Sequence, residues 1–401
     1  MKSKLLLSLL LLSFYNVSAT DRIVQENGPA GTFSTITAAI AASVNGDRII
    51  VHPKIGGNPY VENITIDKTL EIASAEDGVR YKIQGNVTLQ ALNNRTITII
   101  GAHLVSGDIS GSSAGWRTNV SIMGCILDGG SINFNNQYYV SVVSTELESG
   151  SISISHGRII GNQMNSESAL ITISNSTSIT NDTLLIVANK FPRLLCTSDI
   201  FLTIMNNLIK RVSPQTVLSA HSISYTTTST QQKLNIINNT VVTPYTVVAD
   251  GSSTRAKYLN LLSPAVIMNN IFQASYVFTS MYAPTASLTV SGNSSSYNYI
   301  MNTLVSYPAF STTDVLLTTN PVNVTTGQLI LPTAALNGAD PSFQFYDLDL
   351  SVGDAGCYGG SYSLDNYFPI TGSSRVFWVD MPFGITTNGA PLQIKAEGFD
   401  R

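Results

Sequence analysis

The chain has 401 residues, of which 43% are hydrophobic and 11% charged, and its formal net charge is −4. Those totals show neither a basic face for a polyanion nor an acidic tail, so nucleic acid is excluded as an expected partner. The abundant Ile and Val are enough to build a large β-rich core, which excludes a disordered chain.

At the start, Lys2 and Lys4 precede the apolar run LLLSLLLLSF, and Val17-Ser18-Ala19 is a small-residue cleavage site. Residues 1–19 therefore read as a secretory signal peptide, and the mature chain is expected to begin near Thr20. The run is too short to span a membrane, and nothing later approaches ~18 consecutive apolar residues. A secreted, extracellular or cell-surface protein without a membrane span is expected, and a monomer. No cysteine lies near the cleavage site to carry a lipid.

Residues 34–44, STITAAIAASV, put Ile36, Ala39, Ile40 and Ser43 on one helical face, and Asn45-Gly46 stops the helix. This short helix is expected to cap the N-terminal end of the fold. The stretches DRIIV, PYVENITI and KTLEIAS follow as the first strands.

From there a pattern recurs: an aliphatic residue, two variable residues, a polar or small residue, one variable residue, and another apolar residue. It begins weakly at Ile72, then at Ile99 (IIGAHL), Ile122, Val142, Ile159, Ile186, Ile204 (IMNNLI), Ile236 (IINNTV) and Ile267 (IMNNIF), at intervals of 17 to 32 residues. Such irregular spacing suits the coils of a parallel β-helix, whose loops vary in length while the aliphatic positions stack into interior columns. Asn206, Asn238 and Asn269, together with Asn207, Asn239 and Asn270, are candidates for a left-handed turn, and stacked amides such as those of Asn206, Asn238 and Asn269 could hydrogen-bond from coil to coil as a ladder. A leucine-rich repeat is the competing reading. Variable coil length and spacers rich in Ser, Thr and Asn count against it. Regular Thr-x-Thr arrays, which would suggest an ice-binding face, are absent.

Three cysteines, Cys125, Cys196 and Cys357, are too few for a disulfide scaffold and read as small buried apolar residues. The four histidines, at 52, 103, 156 and 221, lack metal-ligand spacing.

With GTFSTITAAIAASVNGDRIIVHP, PYVENITIDKTLEI and, near the other end, DPSF (340–343) and AGCYGGSYSLDNYFP (355–369), the chain resembles right-handed β-helix proteins of the pectin lyase-like class. The first stretch looks like the lid helix and first coil of many secreted members, pectin methylesterases included. The last looks like the closing coil of bacterial members. The resemblance implies one β-helix domain over residues 20–369 and invites a polysaccharide enzyme. The catalytic segments of polygalacturonase-like enzymes (Asn-Thr-Asp, Asp-Asp, Gly-His-Gly, Arg-Ile-Lys) are nevertheless missing, Ser155-His156-Gly157-Arg158 being a faint echo, and so are the aspartate pair and Gly-Arg-Pro-Trp run of the methylesterases. Residues 370–401 form a strand, turn, strand segment, with Val376, Trp378, Leu392 and Ile394 alternating, expected to cap the last coil.

Counting each coil from its first aliphatic residue, the sixth position is Asp128, Glu148, Asn165, Pro192 and Lys210 on successive coils, and the seventh includes Arg193 and Arg211. Asp128 and Glu148 are expected to be neighbours, close enough to raise one pKa unless a cation intervenes. Such a pair could hold calcium that receives an acidic sugar, or act as acid and base in glycoside hydrolysis. With Arg193 or Arg211 as base it could support β-elimination on a uronate chain. The arginines share that surface only if a bend intervenes. The bland reading is a solvated outer face. The aromatic residues Tyr276, Phe278, Tyr282, Tyr297, Tyr299, Tyr307 and Phe310 crowd one stretch and could stack on sugar rings, although such side chains more often sit inside. Sequons such as those at Asn63, Asn86 and Asn293 are expected by chance in this composition.

The leading expectation is a secreted, non-catalytic protein that contacts carbohydrate along its side and needs no cofactor. The alternatives are a polysaccharide lyase or hydrolase on an acidic polymer, with calcium as its one candidate metal, and a structural spacer or adhesin stalk with no glycan ligand.

Overall fold

The structure, a computed structural model, describes residues 19–90, 94–112, 117–135, 138–174, 183–211, 221–243, 246–247, 254–255, 258–274, 288–289, 294–301, 311–369, 374–380 and 394–400. The expected leader, residues 1–18, lies outside them. Among the described residues no helix is long and apolar enough to cross a membrane.

Among the described residues, three parallel sheets of 12, 12 and 10 strands make up the body of the fold. The chain visits the first, second and third sheet in turn and then repeats, each strand pairing with the equivalent strand one coil earlier. This is a right-handed parallel β-helix, the hand expected for crossovers between parallel strands. Its interior is one continuous apolar core.

The aliphatic starts read from the sequence occupy one register column of the first sheet: Ile72 pairs with Ile99, Ile99 with Ile122, Ile122 with Val142, Val142 with Ile159, Ile159 with Ile186, Ile186 with Ile204, Ile204 with Ile236 and Ile236 with Ile267. All are essentially buried. Each full burial of such a side chain favours the folded state by about 1.5–3 kcal/mol. Because a one-residue slip would turn the whole column outward, the pattern also sets the register.

Between the first and second sheets a single residue in the left-handed region makes the corner: Gly124, Ser144, Gly161, Ala188, then Asn206 (φ 55), Asn238 (φ 54) and Asn269 (φ 58). The two asparagines of each pair therefore have different work. The first turns the chain. The second points inward and forms the ladder: Asn162, Asn189, Asn207, Asn239, Asn270 and Asn298 pass an Nδ2–H to the next Oδ1 at 2.9–3.0 Å. In the interior members Nδ2 also donates to backbone carbonyls, as from Asn239 to Ile204 and Ile237, leaving no amide group idle.

The corner between the second and third sheets carries a second ladder, in which side-chain oxygens accept backbone N–H groups of the next coil: Asn63 from Asn86, Asn86 from Asp108, Asp108 from Ser131 and Ser131 from Ser151. Just before it, Gly85, Gly107, Gly130 and Gly150 stack so closely that a Cβ on Gly130 would lie 1.8 Å from the Gly107 carbonyl oxygen. Only glycine permits that approach.

The N-terminal cap is helix α1 (Ile36–Ala42), inside the expected 34–44. Thr35 Oγ1 accepts from Ala38 N–H at 3.1 Å, and the Glu62 carboxylate accepts from the N–H groups of Ile36 and Thr37 at 2.9 Å each, satisfying the first turn. The helix packs Ile36, Ala39 and Ile40 onto the first coils, including a strand at Asp21–Val24 that the sequence reading had not placed.

The C-terminal region departs from expectation. Residues 311–369 do not close the stack as a last coil; after the strand Val315–Leu317 they fold back along the outside of the barrel. Gln273 exchanges two hydrogen bonds with the Val322 backbone, Tyr299 Oη donates to the Gly338 carbonyl at 2.8 Å, and Cys357 N–H donates to Thr240 Oγ1 at 3.0 Å. The hairpin of Ser374–Asp380 and Lys395–Asp400 does form, but it lies on the side wall and not on the last coil. There Phe377 and Phe399 pack with Val143, Ile160 and Val187, and Arg158 meets Glu397 at 2.7 Å. Val376, expected to face inward, is exposed, Leu392 lies outside the described residues, and Phe377 takes the buried place. A return over the wall satisfies the outer apolar residues of the middle coils, which a cap would have left in water.

This also explains why the late coils use asparagine at the turn where earlier ones use Gly, Ser or Ala. Asn206 Nδ2 donates to the Gly359 carbonyl at 2.6 Å, Asn238 Nδ2 to that of Asp354, and Asn269 Oδ1 accepts from Asp340 N–H. The turn row holds the return segment.

Candidate functional site

The second sheet presents its outer face in rows. Along one row Glu146, Gln163, Lys190 and Leu208 are register partners on successive coils. The parallel row, two residues on, carries Asp128, Glu148, Asn165, Pro192 and Lys210, as the sequence phase had implied. From Leu208 onward the return segment covers this face. Before it the face is open, so a groove runs along the edge where the wall emerges.

Two depressions make up that groove. One, of about 480 Å³, has Gln163, Asn165, Glu167, Lys190 and Lys210 on the wall and Thr325, Gln328 and Tyr358 on the return segment. The other, of about 390 Å³, adds Glu146, Asp365 and Phe368 and shares Gln163, Lys190 and Tyr358 with the first. Lys190 Nζ lies 4.0 Å from the centre of the Phe368 ring, and Lys210 Nζ donates to the Thr325 carbonyl at 3.0 Å. Burial lowers the pKa of both lysines, opposed by Asp365 at Lys190 and by Glu167 at Lys210. Tyr358 Oη donates to Thr326 O at 2.7 Å, which fixes the ring across the groove.

The acid pair lies on the same outer face, beyond the groove's N-terminal end. The strands preceding Asp128 and Glu148 are in register, and Glu148 N–H donates to Leu127 O at 2.9 Å, so the two residues are stacked neighbours. Each already has a partner. His103 Nε2 is 2.9 Å from Asp128 Oδ2, and Asn165 Nδ2 donates to Glu148 Oε1 at 2.9 Å and to Glu146 Oε1 at 3.1 Å. Among the described residues no group of three or more His, Cys, Asp or Glu side chains could hold a metal.

The structure does not bring the two arginines to that pair. Arg193 is half-buried at the next corner, where its carbonyl accepts from Ile171 N–H, three coil spacings from Asp128, or ~14 Å at ~4.8 Å per coil. Arg211, one coil further, is 1% exposed. Burial first, and then the neighbouring Arg193 charge, pull its pKa down to about 10, against the opposing pull of Glu167. Arg211 is thus enclosed at the corner and closed to a polymer lying in the groove. In the Ser155–Arg158 segment, His156 is buried against Tyr139 and Arg158 is bound to Glu397, so neither lines the groove.

Of the aromatic candidates, Tyr276, Phe278, Tyr282, Tyr307 and Phe310 lie outside the described residues. Tyr299 is buried beneath the return segment, and Tyr297 is the left-handed turn residue of its coil. Among the aromatic side chains that do line the groove, Phe191 belongs to the second sheet, while Tyr358 and Phe368 come from the stretch read as a closing coil. No sequence signal placed them opposite Lys190, because that contact depends on the return path.

No family model matches the chain, and no curated protein matches it. A solved structure does. The chain is similar to pectate lyase Pel9A. The similarity covers 86% of this chain and 97% of that one, at 13% identity and a TM-score of 0.39. The β-helix described above rests on the chain's own sheets.

Proposed function

We propose that the protein is a non-catalytic extracellular protein that binds a carbohydrate polymer in the groove between the outer face of the second sheet and the return segment. The observation that carries this reading is the shared lining of the two depressions, in which an amide (Gln163), a cation (Lys190) and an aromatic ring (Tyr358) face one continuous channel. Amides and lysines suit hydroxyl and carboxylate groups, while the rings of Tyr358 and Phe368 offer apolar faces to sugars. The channel lies along the second sheet, so consecutive sugar units would meet consecutive coils. The lysines and Asn165 have internal partners that position them, which suits a preformed binding surface.

A second reading, a lyase or hydrolase acting on an acidic polysaccharide, is favoured by one observation: Asp128 and Glu148 stack on the open face, with His103 against Asp128. Incubation of the protein with acidic and neutral polysaccharides, with and without calcium, followed by size analysis, separates the two. Intact polymer that co-elutes with the protein supports binding. Shortened polymer, with shortening lost in Asp128→Asn or Glu148→Gln, supports the enzyme instead. Intact polymer that fails to co-elute contradicts both.

A further inference from the structure

Asp47 is a buried carboxylate at the N-terminal end of the barrel, its side chain 0% exposed. Its Oδ2 accepts from Arg22 Nε at 3.0 Å and from Val44 N–H at 3.1 Å, and its Oδ1 accepts from the backbone nitrogen of Thr20 at 3.0 Å. Burial works against the ionised form, but the hydrogen bonds from Val44, Thr20 and Arg22 outweigh it and hold the carboxyl below the usual range. Thr20 is fixed from its other side as well, because its carbonyl accepts from Arg48 N–H at 3.1 Å. Ala19, immediately before it, is exposed.

The nitrogen aimed at this carboxylate is the one that the small-residue motif Val17-Ser18-Ala19 marks as the first atom of the mature chain. We propose that the Ala19–Thr20 bond is the maturation site, and that the α-ammonium group it releases is the designed partner of Asp47, locking the strand Asp21–Val24 onto the first sheet. An export-pathway peptidase adds water across the bond. The acyl half leaves as the Ala19 carboxylate, and the Thr20 nitrogen, gaining protons, becomes an ammonium with three donors in place of one.

A hydrogen bond from a neutral amide to the carboxylate thereby becomes an ion pair between two charged groups. Other charged groups at this end are Arg22, on Asp47 itself; Arg48, which is bridged to Asp21 at 3.2 Å and lies 4.0 Å from Glu71; Lys68, whose Nζ donates to Ile40 O at 2.8 Å and lies 3.4 Å from Asp67; and Glu62, on the first turn of the cap helix. Arg22 on the same carboxylate opposes the ammonium; in the proposed pair the buried carboxylate outweighs it and holds the amine above its ordinary value of ~7.7–8.0. The sign follows: a raised folded pKa contributes stability that is complete below ~8 and is lost as pH rises through the raised value.

The inference rests on reading residues 1–19 as a leader, and the test has one arm for each half. N-terminal sequencing of the exported protein is expected to give Thr20; a different first residue would overturn the maturation site. Independently, the α-amine of protein prepared to begin at Thr20 is titrated by isotopic reductive methylation and NMR. An upward shift of about one unit or more, returned to the ordinary value in Asp47→Asn, is expected. An ordinary value, or a shift that Asp47→Asn leaves in place, would overturn the ion pair. Should Asp47→Asn fail to fold, protein that retains Ala19 moves the charge without touching Asp47. It is expected to melt at a lower temperature than the Thr20 form at pH 7, with the gap closing as pH rises past the raised value, and equal melting temperatures at pH 7 would contradict the pairing.

Discussion

Arg158 and Glu397 stand 239 residues apart in sequence and 2.7 Å apart in space. This pair pins the C-terminal hairpin to the side wall of the middle coils. The Arg158 hydrogen bond is the largest influence on Glu397, and with help from Lys395 it outweighs burial and holds the carboxyl down at about 2.

A depressed folded pKa contributes stability that is present above the ordinary carboxyl value and is lost as pH falls through the folded one. Between pH ~4.5 and ~2 the hairpin should therefore lose on the order of 2 kcal/mol of its docking energy, after allowance for surface screening. The emission of Trp378, stacked on Tyr362 at 5.0 Å, reports the docking. We expect an acid transition in that emission within this window, absent in Glu397→Gln, whose hairpin should be loosened at every pH. An emission that stays flat down to pH 2 would argue against the pair holding the hairpin.

The two asparagine rows predict different costs for adjacent substitutions. Asn239→Ala removes an amide that donates to Ile204 O, Ile237 O and Asn270 Oδ1, and strands buried partners on both neighbouring coils. A loss on the order of 3 kcal/mol is expected. Asn238→Gly keeps the left-handed turn (φ 54) and loses the Asp354 tie and the bond from Asn269, so it should cost about 1 kcal/mol. Urea unfolding of the two variants gives the comparison, and equal costs would undo the division of labour.

At the opposite corner, Gly130→Ala forces a Cβ to within 1.8 Å of the Gly107 carbonyl oxygen, whereas Gly129→Ala meets nothing within 4 Å. The first should destabilise by about 2 kcal/mol or more. The second should be neutral or slightly stabilising, since alanine narrows the unfolded ensemble. Thermal melts of both variants decide whether the glycine column is required.

The aliphatic column was legible in the sequence because its period is the coil itself, and the nine starts from Ile72 to Ile267 share one register. The outer row Asp128, Glu148, Asn165, Pro192, Lys210 followed from the same count. What could not be read was anything depending on the path after residue 311. AGCYGGSYSLDNYFP has the composition of a closing coil, yet Cys357 and Tyr367 pack on the outer side of Val143, Ile160 and Val187. Local pattern carries no information about which outer face a returning segment will cover. For that reason Tyr358 and Phe368, which complete the groove, were invisible, while the arginines that looked available are half-buried or enclosed at a corner.

The return path also orders the three thiols. Burial pushes Cys125 up to about 11 and Cys196 and Cys357 up to about 12, so none should react in the native state. Cys357, however, lies between the return segment and the wall, while Cys125 and Cys196 lie inside the barrel. In rising urea at pH 8, mass-resolved alkylation should label Cys357 first. Simultaneous labelling of all three would mean that the return segment and barrel unfold as one unit.

The central claim is that a polymer lies against Lys190 and Tyr358, and affinity for soluble oligosaccharides from the best-retained polysaccharide, measured calorimetrically on folded variants, tests it most directly. Lys190→Gln and Tyr358→Ala should each weaken binding about tenfold or more, equivalent to ~1.4 kcal/mol, while Asp108→Asn, outside the groove, should leave affinity unchanged. Undiminished affinity in both groove variants would contradict the account.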